Sequence, residues 1–165
     1  MNRPQIISIV GKSNSGKTTL IEKLIPEIKK RGYKVATIKH DVHGFDIDVP
    51  GKDSWKHAQA GVDSVVVSSA GKIAVIKKLE DELSLDEIAE CYLNDVDIII
   101  TEGFKKEDKP KIEVFRRTVH KASLCLPKEP VAIVSDDDVD VKARQFGLNE
   151  IGKLADYIEE EFIVK

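Results

Sequence analysis

From Val10 to Leu24 the chain reads VGKSNSGKTTLIEKL, and this stretch restricts the fold more than any other. The run before it, Ile6 to Val10, is short, continuous and rich in β-branched residues, the pattern of a strand buried on both faces. After it Leu20, Leu24 and Ile28, with Ile21 and Ile25 beside them, repeat at helical spacing as far as Lys30, where Arg31-Gly32 ends the helix. Gly11 to Thr18 therefore joins a buried strand to a helix and matches G-x-x-x-x-G-K-[ST] in full. Glycines at both ends let successive backbone NH groups converge on phosphate oxygens, and the helix beginning near Lys17 adds its positive dipole end. The contact set runs through Gly11, Lys12, Ser13, Asn14, Ser15, Gly16, Lys17, Thr18 and Thr19. Lys17 reaches for the β- and γ-phosphates, and the Thr18 hydroxyl is a Mg²⁺ ligand.

The remaining pattern extends this unit. Strands are expected at Val35–Ile38, Val65–Val67, Ile73–Ile76, Ile98–Ile100, Ile112–Phe115 and, last, Val131–Val134; the second and third of these read as a hairpin. Helices are expected over Ser54–Ala60, after the capping box Ser84-Leu-Asp-Glu87 with Ile88, Cys91 and Tyr92 facing the core, and through Ile151, Leu154, Ala155, Ile158 and Phe162. Pro26 falls inside the first helix, where a kink is expected at ~3 kcal/mol if uncompensated. Apolar strands alternating with helices indicate an α/β chain: a three-layer P-loop NTPase fold, mostly parallel, with helices on both faces. The 165 residues are expected to form one nucleotide-binding domain, 1–165.

A net charge of −3 gives no general attraction to nucleic acid or an anionic membrane. The apolar run near the N-terminus is too short for a signal peptide or a membrane span. Cys91 and Cys125 lack metal-type spacing and read as buried free thiols, which suits a reducing cytoplasm.

Two further segments carry candidate chemistry. In DIIITEGF, Glu102 follows an apolar strand and reads as the acid that holds Mg²⁺ through water beside Thr18 and acts in catalysis, with a plain surface carboxylate as the other reading. Asp97, at the other end of that strand, would be about 15–17 Å away. In IKHDVHGFDIDVPGKDSW, residues Lys39, His40, Asp41, His43, Asp46, Asp48, Lys52 and Asp53 crowd one loop at a strand's carboxyl end, where ligands bind in open α/β sheets. Three readings stay open for it: a metal site built on His40 and His43, a solvated loop with Asp53 or Ser54 capping the next helix, or a substrate, Mg²⁺ or partner loop in which Asp48 or Asp41 orients water or the ion. Lys12 partly resembles the second lysine of the K-G-G-x-x-K loops that reach across a dimer. Ser13 and Asn14 replace those glycines, so an exposed, uninvolved lysine remains the other reading.

Taken together, GKSNSGKTTLIEKL, IKHDVHGFDIDVPGKDS with AGVDSVVVSS, and DIIITEGFKKEDKPKIEVFR resemble the molybdopterin-guanine dinucleotide biosynthesis protein B family (MobB) over roughly residues 5 to 117. The resemblance implies a GTP- and Mg²⁺-binding homodimer with weak GTPase activity. Such a protein assists the guanylyltransferase that attaches GMP to molybdopterin, with molybdopterin itself a further candidate ligand. The family pattern falls on Gly11, Gly16, Lys17 and Thr18, on Lys39, His40, His43, Asp48, Gly51, Lys52, Asp53 and Ser54, and on Glu102, Gly103 and Lys105. The guanine-reading N-K-x-D sequence is absent; Asp136 or Asp137 in AIVSDDDVD is either a guanine acceptor or an acidic cap. No arginine lies in the P-loop or histidine segment, and Arg116 and Arg117 stand past a loop, so slow hydrolysis is expected. The competing reading is a small phosphotransferase with KKEDKPK, 105–111, as its lid; a third is a metal-delivery GTPase using His40 and His43.

Overall fold

A computed structural model describes residues 3–41, 43–124 and 130–163. The chain divides into two compact units, Met1–His40 with Leu85–Lys165, and Asp41–Ser84.

The first unit is built on six parallel strands. They are β1 (Gln5–Val10), β2 (Val35–Lys39), β5 (Ile98–Glu102), β6 (Lys111–Val114), β7 (Ala132–Val134) and β8 (Arg144–Phe146), in the spatial order β2-β5-β1-β6-β7-β8. The numbers β3 and β4 belong to the second unit. Strand pleating sends alternate residues to opposite faces. Ile7 and Ile9, Ile98 and Ile100, Ile112 and Val114, and Ala132 and Val134 meet helices α1 (Lys17–Lys30) and α4 (Ile151–Ile158) on one face. Ile6 and Ile99 turn the other way, toward Leu85 and Ala89 of α3 (Leu85–Tyr92). That gives the three layers expected of continuous apolar strands.

Helix α1 runs unbroken through Pro26. Pro26 and Glu22 are both exposed, so the carbonyl that loses its partner lies on the helix's solvent side and the penalty falls. Arg31 and Gly32 close the helix by donating to the carbonyls of Ile28 and Lys29, with Gly32 at φ 93°. A π-helical turn, Glu159–Ile163, extends α4 and carries Phe162 to the core's edge.

Three expectations are corrected. Leu85 and Ala89 set the buried stripe of α3, which leaves Ile88 half-buried and Cys91 and Tyr92 exposed; Cys125 lies outside the described residues. Val131–Val134 is not the last strand, since β8 follows it. Its three residues bury only Phe146, too little to show as an apolar run. Finally, β5 extends to Glu102, which pairs with Lys39 and Ile9, so Glu102 ends the strand instead of following it.

The second unit holds α2 (Asp53–Gln59) and an antiparallel hairpin, β3 (Ser64–Ser69) and β4 (Lys72–Lys77). Only Val65 of the hairpin is buried; Val66, Val67, Ile73 and Val75 are exposed.

Candidate nucleotide site

The loop between β1 and α1 has the backbone its glycines allow. Gly11 (φ 155°) lies so close to β6 that an added Cβ would stand 2.6 Å from the Val114 carbonyl oxygen and 2.6 Å from Ser15 Oγ. Asn14 (φ 62°) and Gly16 (φ 98°) are left-handed, a conformation that asparagine tolerates and glycine adopts freely. Gly16 precedes α1 and no side chain caps that helix, leaving the first-turn amides to a ligand. Ser15 Oγ is buried without a hydrogen-bond partner among the described residues. An orphaned hydroxyl in a loop of this sequence suits a bound anion.

Two internal contacts tie the cradle together. Lys17 Nζ donates to the Lys12 carbonyl at 2.8 Å. Burial pushes the Lys17 ammonium below its ordinary value; Glu102 works against this shift and Lys105 adds to it. Thr18 Oγ1 lies 3.1 and 3.2 Å from the two carboxylate oxygens of Glu102. A hydroxyl and a carboxylate side by side are hard oxygen donors, the set Mg²⁺ takes together with phosphate. The residues thus fit both a nucleotide phosphate and its ion. Asp97 is excluded from this role: it accepts from the Lys34 amide at the opposite end of β5.

The histidine segment divides between the units. In the first, His40 donates its amide to the Glu102 carbonyl, and its ring stacks on Phe104 with centroids 4.6 Å apart. Gly103 (φ 104°) and Phe104 (φ 48°) are both left-handed, and a Cβ on Gly103 would come within 3.3 Å of His40 Cβ. A bulky residue at positive φ marks strain held next to the carboxylate. Lys39 ends β2 in register with Glu102.

In the second unit, Asp48 Oδ1 accepts from the Val49 amide and from Ser54 Oγ at 3.0 Å, while its Oδ2 is buried with no partner among the described residues. Lys52, not Asp53 or Ser54, stands at the N-cap of α2; Asp53 opens the helix and meets Lys56 at 3.4 Å. Gly51 makes the preceding turn at φ 87°, and the His43 amide donates to Asp41. Among the described residues no group of three or more His, Cys, Asp or Glu side chains is arranged to hold a metal ion.

Both aspartates considered for base reading have protein partners. Asp136 accepts from the Leu148 amide at 3.0 Å and Asp137 from the Arg117 amide at 2.6 Å. In 105–111, Lys109 pairs with Asp86, and Lys111 donates to the carbonyls of Glu107 and Lys109. Two of the segment's four lysines are therefore held within the protein.

No arginine lies in the loop or the histidine segment, but one comes beside the cradle from elsewhere in the chain. A methyl group placed on Gly16 would lie 3.5 Å from Nη2 of Arg116. The strand order brings this about: β6 pairs with β1, so the residues after β6 run beside the loop after β1.

A parallel sheet whose first β-α connection is a complete phosphate loop, with Lys17, Thr18 and Glu102 gathered at its mouth, defines a P-loop nucleotide-binding protein. Comparison with known proteins narrows the class. A family model described as "Molybdopterin guanine dinucleotide synthesis protein B" matches residues 6–136, and the chain belongs to that MobB family. It is 34% identical over 159 residues to the molybdopterin-guanine dinucleotide biosynthesis adapter protein of Haemophilus influenzae, covering 96% of this chain and 89% of the relative. The adapter of the same name from Escherichia coli is 33% identical over 160 residues, covering 94% and 91%. A crystal structure titled molybdopterin-guanine biosynthesis protein B superposes with a TM-score of 0.76 at 36% identity, covering 94% of this chain and 98% of that one.

Proposed function

We propose that this protein is a GTP-holding adapter in molybdenum cofactor biosynthesis, supporting the guanylyltransferase that joins GMP to molybdopterin. The observation that carries the reading is the group Lys17, Thr18 and Glu102 around an uncapped helix start. Free amides of the loop and the Lys17 ammonium would take the phosphates; Thr18 and Glu102 would hold Mg²⁺, which would supply charge neutralisation to the phosphates. The Thr18–Glu102 bond is exchanged for the ion's coordination. Lys39 and His40, in the unit that carries the phosphate loop, are assigned to the same nucleotide; His43, Asp48, Lys52 and Asp53 are assigned a ligand role within the second unit, with molybdopterin the candidate, and the family membership supports these assignments.

Hydrolysis is slow, a side activity of a chain that works as one nucleotide-binding domain, 1–165. Guanine is favoured because the MobB relatives are named for the guanine dinucleotide, and Asp136 is the acceptor we assign to the base. The engagement of Lys109 and Lys111 in internal bonds speaks against a basic phosphotransferase lid. Exposed Val66, Val67, Ile73 and Val75 on the hairpin support a homodimer. No helix among the described residues is long and apolar enough to cross a membrane, which agrees with a cytoplasmic site of action.

Calorimetric titration with GTP, GDP and ATP in the presence of Mg²⁺ tests the reading. Saturable binding that favours guanine nucleotides and accelerates the transferase when both proteins are mixed is the expected result. Absence of binding to any purine triphosphate at millimolar concentration overturns it.

A further inference from the structure

Among the described residues Arg116 is an unpaired cation on a firmly held backbone beside the phosphate loop. Among the described residues its guanidinium makes no hydrogen bond or ion pair, and the side chain is exposed. Its backbone, by contrast, is held from three sides. The Phe115 amide donates to Val134, the Arg116 carbonyl accepts from the amides of Val119 and His120, and the Arg117 amide is bound by Asp137 at 2.6 Å. Arg117 turns away, placing Nη2 2.9 Å from the Asp138 carbonyl. Of two adjacent arginines, one serves the neighbouring loop and the other is left with its guanidinium against Gly16. A planar fork of donors that no protein group uses, next to an anion cradle, is suited to a phosphate oxygen.

Strand order says which phosphate. Glu102 ends β5 on one side of β1, and Arg116 follows β6 on the other side. Thr18 is bonded to Glu102, so the ion and the terminal phosphate belong to the β5 side. The remainder of a nucleotide must then leave the cradle toward β6 and β7. We infer that Arg116 is a nucleotide-binding residue that grips the sugar-proximal phosphates, not a charge donor to the phosphoryl group being cleaved. This deepens the proposed function and rests on its reading of the site. It gives the chain a way to hold nucleotide tightly without accelerating hydrolysis: a contact present equally in ground and transition states raises affinity alone.

The test compares wild-type protein with Arg116→Gln and Arg116→Lys, using fluorescently labelled GDP and GTP and single-turnover hydrolysis at saturating GTP. Arg116→Gln is expected to weaken GDP and GTP alike by roughly ten- to a hundred-fold, the weight of a charge-assisted hydrogen bond. Any loss in its hydrolysis rate at saturation should be several-fold smaller than its loss in affinity, because the contact is made alike in ground and transition states. Arg116→Lys, keeping charge without the fork, should fall between the two. A drop in the saturated rate with GDP affinity intact would make Arg116 a transition-state group and overturn the inference, as would unchanged affinity for both nucleotides. Failure of Arg116→Gln to fold would also overturn it, since the side chain would then have a structural partner. If wild-type protein binds and the variants bind equally, only this inference falls; if wild-type protein does not bind, the site reading falls with it.

Discussion

Thr18 and Glu102, 84 residues apart in the chain, share one hydroxyl proton: Thr18 Oγ1 sits 3.1 Å from one carboxylate oxygen and 3.2 Å from the other. The contact joins the first turn of α1 to the end of β5 across the mouth of the phosphate loop. It brings together two oxygen donors of the kind Mg²⁺ takes beside phosphate.

Glu102→Gln keeps the shape and removes the charge. The Mg²⁺-dependent gain in nucleotide affinity should fall by about 10–100-fold, as for loss of a metal-orienting partner. Metal-free binding should change little, because the amide cradle is untouched. Titrating nucleotide with and without Mg²⁺ separates the two effects.

Lys17→Ala should abolish measurable nucleotide binding while leaving the far-ultraviolet spectrum and the unfolding transition nearly unchanged. The wild-type protein should also show a pH effect of definite sign. Burial lowers the pKa of Lys17 in the free protein. A bound phosphate favours the charged ammonium and raises it again. Binding therefore takes up protons in the alkaline range below the ordinary value of 10.5, and affinity falls as pH rises through the depressed value. Heats of binding compared in buffers of different ionisation enthalpy check the proton uptake.

Gly11→Ala places a methyl group 2.6 Å from the backbone oxygen of Val114, which cannot move without displacing β6 from β1. Combined steric and backbone strain should destabilise the fold by about 2–5 kcal/mol. Denaturant titration should show this as a lower midpoint with an unchanged slope. Gly32→Ala, with nothing near the added methyl group, is the control for positive φ alone.

Glu159 accepts from Arg31 at 2.6 Å and Tyr33 at 2.7 Å, joining the end of α1 to the end of α4. The Arg31 bond, then the Tyr33 bond, lower the Glu159 pKa from its ordinary 4.5. With the folded value below the unfolded one, the contribution is complete above about pH 4.5 and lost as pH falls through the depressed folded value. The melting temperature of Glu159→Gln should lie below wild type at neutral pH and converge with it in acid. A constant gap across the acid range would contradict the assignment.

Much of this arrangement was legible in the sequence because it is local. The phosphate loop needs only a strand, two glycines and a helix in succession, and Glu102 needs only the polarity of one apolar strand. Arg116 was not legible. Its relation to Gly16 depends on β6 crossing to the far side of β1 from β5, a matter of sheet order that no short spacing encodes. β8 escaped notice because an edge strand of three residues buries one side chain. Cys91 and Tyr92 were misplaced because Ile88 suggested a stripe one residue out of phase with Leu85 and Ala89. Asp136 and Asp137 read equally well as base acceptors or as surface acids, and their backbone partners, the amides of Leu148 and Arg117, come from well-separated positions that no local pattern announces.

The bond from the Lys17 ammonium to the carbonyl of Lys12 has a consequence for turnover of the bound molecule. Its cation is never left unsolvated when the loop empties, so departure of a ligand is cushioned by a ready replacement partner. Arrival must in turn displace that partner, which trims affinity at both ends of the exchange. The empty loop is thereby an internally bonded form, and occupation of the cradle exchanges one partner of the lysine for another.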